Sequence, residues 1–195
     1  MRVYLIRHAI AFERDRKRWP DDRQRPLTPE GRIKFRKAAA GLRRLTRKVE
    51  CVLTSPLTRA RQTAEILTAV AGWPGALEVP ELAPGRTVEQ ALTAIRERAA
   101  GEPQLKCLAL VGHEPNLSEL LAVSVAGSRA RARFKIKKGG AACLFFPDAR
   151  ASQDRPERPD KAQPERARQA QAERPSQAQL EWLVTPKALR ALARR

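Results

Sequence analysis

Metal-binding and disulfide-forming residues are scarce in this chain: three cysteines and two histidines among 195 residues. Cys51, Cys107 and Cys143 lie far apart, each inside an apolar, strand-like run, and there is no C-x-x-C. An odd count without paired spacing argues against a disulfide framework or a zinc ribbon; it reads as buried free thiols in a reducing compartment. No metal and no other cofactor is expected. No apolar run approaches the roughly 20 residues needed to span a bilayer, so no membrane association is expected. The first apolar run, Val3 to Ile6, is cut short by Arg7 and lacks the length of a secretory signal core, so the expected location is cytoplasmic. Aromatic residues make up only 5% of the chain and do not interleave with the basic ones, unlike the stacking platforms of single-strand nucleic-acid readers. No internal repeat is evident.

One charge is not scarce. The formal net charge is +18, which suits a phosphate-rich or acidic partner but equally suits a chain whose Arg and Ala content reflects a general compositional bias. The basic residues are scattered, and no nucleic-acid partner is expected. A chain of this length forms one domain with a sizeable core.

Arg2 to Ile6 reads as a first strand, and residues 11–25 as a charged loop. "LTPEGRIKFRKAAAGLRRL" opens a helix with Thr28 as N-cap, Pro29 at the first position and Glu30 in the first turn. Ile33, Ala38, Leu42 and Leu45 form its apolar stripe. "ECVLTS" is a second strand, after which Ser55 caps and Pro56 begins a helix running to about Val70. A short strand follows at Leu77 to Val79, then a helix from Thr87 to Ala99, the strand "KCLALVG", and a helix from Leu117 to Val125. Phe134 to Ile136 and Ala142 to Phe146 pair as a hairpin. Residues 148–179 carry seven basic and six acidic side chains and almost no large apolar one. They cannot bury enough surface to offset their ordering entropy and read as a disordered insertion with transient helix at 164–173; the excess positive charge therefore lies elsewhere. "LEWLV" resumes as an edge strand, and Thr185 and Pro186 begin a final helix. Strands alternating with helices predict a three-layer α/β/α sandwich around a mostly parallel central sheet.

In open α/β sheets, sites gather beyond the carboxyl ends of strands. Three polar clusters fall there: Arg7 and His8 after the first strand, Ser55, Thr58 and Arg59 after the second, and His113 with Glu114 after "LALVG". Arginines bind phosphoryl oxygens two at a time and stay charged. Arg59 also sits near a helix N-terminus, which favours anions. A neutral imidazole beside such a pocket is a competent nucleophile, and phosphoryl transfer demands mainly positioning and charge stabilisation.

Four segments, "LIRHA", "LTPEGR", "LTSPLTRARQTAEIL" and "LVGHEPNL", occur in this order. Together they resemble the histidine phosphatase (phosphoglycerate-mutase-like) superfamily, most closely its small phosphohistidine phosphatase, SixA-type branch. The resemblance runs from Met1 to about Phe146 and resumes at "LEWLVTPKAL". It implies that His8 is the phosphorylated nucleophile, that Arg7 and Arg59 bind the phosphoryl group, and that His113 stabilises it. Arg25 matches the "RPLT" arginine, which either reaches the pocket mouth or pairs with Asp22. Two departures stand out. The superfamily usually has Gly after the nucleophile, where this chain has Ala9. The segment that supplies a general-acid glutamate in larger members is short here; Glu81 is the positional candidate, with a plain surface or turn role as its alternative.

A short covering segment suits phosphate displayed on a protein. Imidazole leaves readily without a dedicated acid, whereas an alkoxide needs one. The expected activity is therefore metal-independent removal of phosphate from phosphohistidine on a signalling or carrier protein, by a monomeric enzyme. The alternatives are hydrolysis of a small sugar or nucleotide phosphate, and a non-catalytic polyanion-binding protein. A mutase is disfavoured, since little chain is available to enclose and reorient a small substrate.

Overall fold

The computed structural model describes residues 1–46, 48–127, 133–147 and 178–194. Its elements in chain order are β1 (Arg2–Arg7), α1 (Pro29–Leu45), β2 (Cys51–Thr54), α2 (Thr58–Ala71), β3 (Ala76–Glu78), α3 (Val88–Gly101), β4 (Cys107–Gly112), α4 (Asn116–Ala126), β5 (Ala141–Phe145), β6 (Gln179–Val184) and α5 (Pro186–Leu192). Single 3-10 turns lie at Asp22–Gln24 and Pro80–Leu82. The sheet order is β3-β2-β4-β1-β5-β6. β1, β2, β3 and β4 pair in parallel, while β5 runs antiparallel to both β1 and β6. Five of the six strands thus point one way, as the alternation of strands and helices predicts.

The two faces of the sheet are read off the strands with a period of two. Tyr4 and Ile6, with Ala109 and Val111, face one core that contains Phe35 and Leu42 of α1, Leu67 of α2 and Leu189 of α5. Val3, Leu5, Leu108 and Leu110 face the other, with Ile95 of α3 and Leu117, Leu120 and Leu121 of α4. Burial on both faces explains why β1 and β4 are continuous apolar runs rather than alternating ones. On the first face Tyr4 stacks between Trp73 and Trp182, with ring centroids 6.3 and 5.8 Å away. The three cysteines are buried and free.

Helix boundaries follow the caps. The Thr28 side chain accepts from Gly31 N–H and Thr185 from Ala188 N–H. Thr87 forms a reciprocal capping box with Gln90. Such caps satisfy N–H groups that the first turn leaves unpaired. Gly31 is required by contact rather than conformation: a Cβ there would lie 2.1 Å from the Ile10 carbonyl oxygen. That close approach, with Thr28 N–H donating to Ile10 O at 3.0 Å, fixes the start of α1 against the chain leaving β1.

Three expectations need correction. Ile33 is 58% exposed, and the buried stripe of α1 is built on Phe35, Ala38, Ala39 and Leu42. At 3.6 residues per turn, two positions before Phe35 lie on nearly the opposite side. Second, α2 begins at Thr58 with Leu57 at the N-cap, because the Ser55 hydroxyl faces the second histidine instead. Third, Phe134 to Ile136 is not a strand of a hairpin. β5 pairs with β1 and β6, and the backbone of Ile136 is bonded to side chains of the polar cluster described below. Of the span read as an insertion, residues 148–177, including the helical stretch at 164–173, lie outside the described residues; Ala178 is buried and Gln179 opens β6.

Candidate active site

Register alone brings the two histidines together. β1 and β4 pair in parallel with Arg7 opposite Gly112, so the next residue on each strand, His8 and His113, emerges at the same edge. The ladder closes with His8 N–H donating to Gly112 O at 3.1 Å. β2 lies on the far side of β4 with Thr54 opposite Val111, which delivers Ser55 beside His113. The two imidazole centroids are 5.0 Å apart, with ring planes inclined by 53°.

His8 is 6% exposed and His113 3%. His8 Nδ1 lies 2.7 Å from the Ala9 carbonyl oxygen. A carbonyl only accepts, so Nδ1 carries the proton and Nε2 keeps its lone pair. Burial pushes the His8 imidazole down to about 3; the bond to Ala9 O opposes the shift, while Arg59, Arg7 and Lys138 add to it. His113 is pushed down to about 2, first by burial and then by His8, Arg59 and Arg7. Both rings are therefore neutral at ordinary pH.

His113 Nε2 lies 2.9 Å from Ser55 Oγ. Ser55 is fully buried and its Oγ also accepts from Leu57 N–H at 3.4 Å. The hydroxyl proton needs an acceptor, since a buried donor left unpaired is costly. His113 Nε2 is the acceptor at hand, which leaves the His113 proton on Nδ1. Each ring thus keeps one nitrogen uncommitted to the described protein, Nε2 of His8 as a base and Nδ1 of His113 as a donor.

The two arginines are held differently. Arg7 Nη1 donates to the Ile136 carbonyl at 2.9 Å, and Ile136 N–H donates to Glu114 Oε1 at 2.8 Å. Arg59, its side chain 4% exposed, donates from Nη1 to the Asp22 carbonyl at 2.9 Å and pairs through Nη2 with Asp22 Oδ2 at 3.2 Å. The Nε–H groups of both arginines are buried without a hydrogen-bond partner. Two cationic forks with orphaned donors, beside two neutral imidazoles, are groups of the kind an oxyanion would pair with.

Second contacts lock this arrangement. Thr63 Oγ accepts from Ala9 N–H at 3.0 Å and donates to Arg59 O at 2.7 Å, tying the residue after His8 to α2. Gly139, at φ +74°, donates its N–H to the carbonyls of Arg7 and His8, each at 3.1 Å. That backbone conformation favours glycine.

Arg25 is turned into Asp22, with Nε 2.7 Å from Oδ1, and into the Phe12 carbonyl at 2.6 Å. Of the two roles open to it in the sequence, the geometry gives pairing with Asp22. Burial would raise the Asp22 carboxyl, but hydrogen bonds from Arg25 and Arg14 and the charge of Arg59 hold it down to about 2. Glu81 is half-buried in the Pro80–Leu82 turn and makes no side-chain hydrogen bond or ion pair among the described residues. Among those residues no cluster of His, Cys, Asp or Glu is placed to hold a metal ion, and no helix is long and apolar enough to cross a membrane.

Asp22, Thr63 and Gly139 were not singled out as site residues from the sequence. Asp22 carries the one usable signal, a carboxylate among arginines near "RPLT". Thr63 and Gly139 act through the backbone of the β1 end, 54 and more than 130 positions away.

The sequence model of the histidine phosphatase superfamily (branch 1) matches residues 3–103. An uncharacterized protein of Picosynechococcus sp. is 40% identical over 140 residues, 72% of this chain and 82% of that protein. Among solved structures, the protein histidine phosphatase SixA complexed with tungstate superposes with a TM-score of 0.72 at 22% identity, covering 97% of this chain and 99% of that one. A candidate phosphohistidine phosphatase SixA from Agrobacterium tumefaciens gives 0.58 at 25% identity, covering 73% of this chain and 90% of that one. A candidate α-ribazole-5′-P phosphatase from Escherichia coli gives 0.55 at 18% identity, covering 76% and 91%.

Proposed function

This chain belongs to the histidine phosphatase superfamily, and on that premise we propose that it removes phosphate from phosphohistidine carried on a protein, with His8 as the covalent nucleophile. The observation that carries the reading is the His8 ring, held neutral with Nδ1–H on the Ala9 carbonyl and Nε2 free, 5.0 Å from His113.

The chemistry runs in two steps. The lone pair of His8 Nε2 attacks phosphorus in line with the bond to the leaving imidazole. That P–N bond breaks, its electrons return to the leaving ring, and the ring takes a proton from solvent. Arg7 and Arg59 hold the phosphoryl oxygens and His113 donates Nδ1–H to one of them, so charge is stabilised by groups already in place. Water then attacks phosphorus, the bond to His8 Nε2 breaks, and inorganic phosphate leaves. Nδ1–H stays on Ala9 O throughout, fixing the ring's tautomer and direction. That the SixA protein named above is complexed with tungstate, an oxyanion, is consistent with a pocket of this kind.

The choice of a phosphoramidate over an ester rests on the leaving group. An alkoxide needs a proton donor, and the Glu81 carboxyl is not fixed by any side-chain partner among the described residues. Kinship with SixA-type proteins at 25% identity points the same way. The test is incubation of the purified protein with a phosphohistidine-bearing phosphocarrier protein and with a panel of phosphomonoesters, comparing wild type and His8→Ala. The reading expects the P–N substrate to be turned over with the highest kcat/KM and His8→Ala to be inactive on all. A sugar or nucleotide ester preferred over every P–N substrate would replace it with the ester reading.

A further inference from the structure

A cleft of about 470 Å³ adjoins the candidate active site, a volume in the range of about 300–1,000 Å³ common for ligand pockets. It is lined by Pro56 and Leu57 just before α2, by Pro80 and the stretch from Ala83 to Arg86, and by Arg14, Asp22 and Arg23. Two links join it to the reacting groups. Asp22 is the residue that grips Arg59. The Arg86 carbonyl accepts from Asn116 Nδ2 at 2.6 Å, at the first residue of α4, three residues after His113.

The charge of this cleft is one-sided. Arg14, Arg23 and Arg86 are exposed. The single carboxylate lining it, Asp22, is already shared among Arg25, Arg59 and Arg14. The side chains of Arg23 and Arg86 make no hydrogen bond or ion pair among the described residues. Unspent guanidiniums on a rim recognise carboxylates, and their planar forks do so with two parallel bonds. The proline-bounded walls give an extended chain a surface to lie on without requiring the cleft to rearrange.

We propose that this cleft receives the polypeptide flanking the phosphorylated histidine, and that Arg14, Arg23 and Arg86 select partners carrying acidic side chains there. The inference rests on the phosphohistidine reading and deepens it: the pocket of Arg7, Arg59 and His113 takes the phosphoryl group, and the arginine rim chooses the protein that presents it.

The test uses synthetic phosphohistidine peptides of equal length with glutamate, serine or lysine flanks, phosphoramidate as a small P–N reference, and p-nitrophenyl phosphate. Wild type is compared with the double variant Arg23→Glu, Arg86→Glu; neither residue touches the phosphoryl pocket. Exposed ion pairs change affinity by about two- to threefold each, so through the two unpaired arginines, Arg23 and Arg86, wild type should favour the glutamate-flanked over the serine-flanked peptide by about four- to ninefold in kcat/KM, mostly through KM. The preference should shrink as ionic strength rises. The double variant should favour lysine flanks, with its rate on phosphoramidate unchanged. Rates independent of the flanks, or the same ranking in both enzymes, would overturn the docking inference while leaving the phosphohistidine reading standing. Hydrolysis of p-nitrophenyl phosphate with no turnover of any P–N substrate would overturn both. Stronger inhibition by a single-stranded DNA oligonucleotide than by the unphosphorylated glutamate peptide, lost in the double variant, would reassign the cleft to nucleic acid.

Discussion

Replacing Ser55 by alanine removes one oxygen atom that has two jobs. Its hydroxyl donates to His113 Nε2 at 2.9 Å and accepts from Leu57 N–H at 3.4 Å, in a fully buried position. Alanine fits the space but strands an imidazole nitrogen and a backbone donor. Buried groups that lose a partner cost about 1–3 kcal/mol each, and the Leu57 bond is long, so a total of about 2–3 kcal/mol is expected. For a domain of this size that lowers Tm by about 4–12 °C. The specific effect lies in the His113 ring. Loss of a bond worth about 1 kcal/mol shifts a two-state ratio by about fivefold, so the Nδ1–H form no longer dominates. Complete loss of a charge-stabilising donor costs about 100- to 1,000-fold in kcat; a fivefold shift of tautomers lowers the donor-competent fraction by at most about fivefold, so kcat should fall by about two- to fivefold, with KM little changed. With two histidines in the chain, nitrogen-15 imidazole spectra assign both rings directly. Wild type should show His8 and His113 both protonated at Nδ1, and Ser55→Ala should change the pattern of His113 only. A wild-type His113 protonated at Nε2 would refute the donor assignment, whatever the variant's rate.

Stability should fall as pH drops below about 6.5. The sign follows from linkage: an imidazole held neutral in the fold has its folded pKa depressed, so the unfolded chain binds more protons between the two values and acid favours it. With His8 pushed down to about 3 and His113 to about 2, uptake should approach two protons, a slope of about 2–3 kcal/mol per pH unit near pH 5. Urea unfolding across pH 7.5 to 4.5 checks this; a flat profile would mean the rings are not buried neutral. Asp22, held down to about 2, adds a further loss only as pH falls below about 4. Glu81→Gln should leave phosphohistidine turnover within about twofold and, if esters are hydrolysed at all, slow them by about 100-fold or more. Equal losses on both substrates, measured as kcat/KM, would make Glu81 a group the P–N reaction also needs.

Much of this site is legible in the sequence. The apolar runs of β1 and β4 and the residues that follow them place His8, Arg7 and His113 at one sheet edge, and the helix start after β2 adds Arg59. The order of "LIRHA", "LTPEGR", "LTSPLTRARQTAEIL" and "LVGHEPNL" does the rest. What could not be read is where backbone and short polar side chains close the site. Ser55 carries the residue type of a helix cap, and its real partner, His113, is 58 positions away. Phe134 to Ile136 has strand composition, yet the Ile136 backbone serves Glu114 and Arg7 rather than a ladder. Two roles are open to Arg25 in the sequence, and only the path of the loop after β1 turns it to Asp22. Glycine and threonine roles at Gly139 and Thr63 depend on partners that no local pattern announces.

Trapping the covalent intermediate tests the central claim most directly. Wild-type protein mixed with labelled phosphohistidine phosphocarrier protein and quenched in alkali within milliseconds should carry one phosphoryl group, on Nε2 of His8, and His8→Ala should carry none. Label on His113, on Nδ1 of His8, or on no histidine during active turnover would contradict the account.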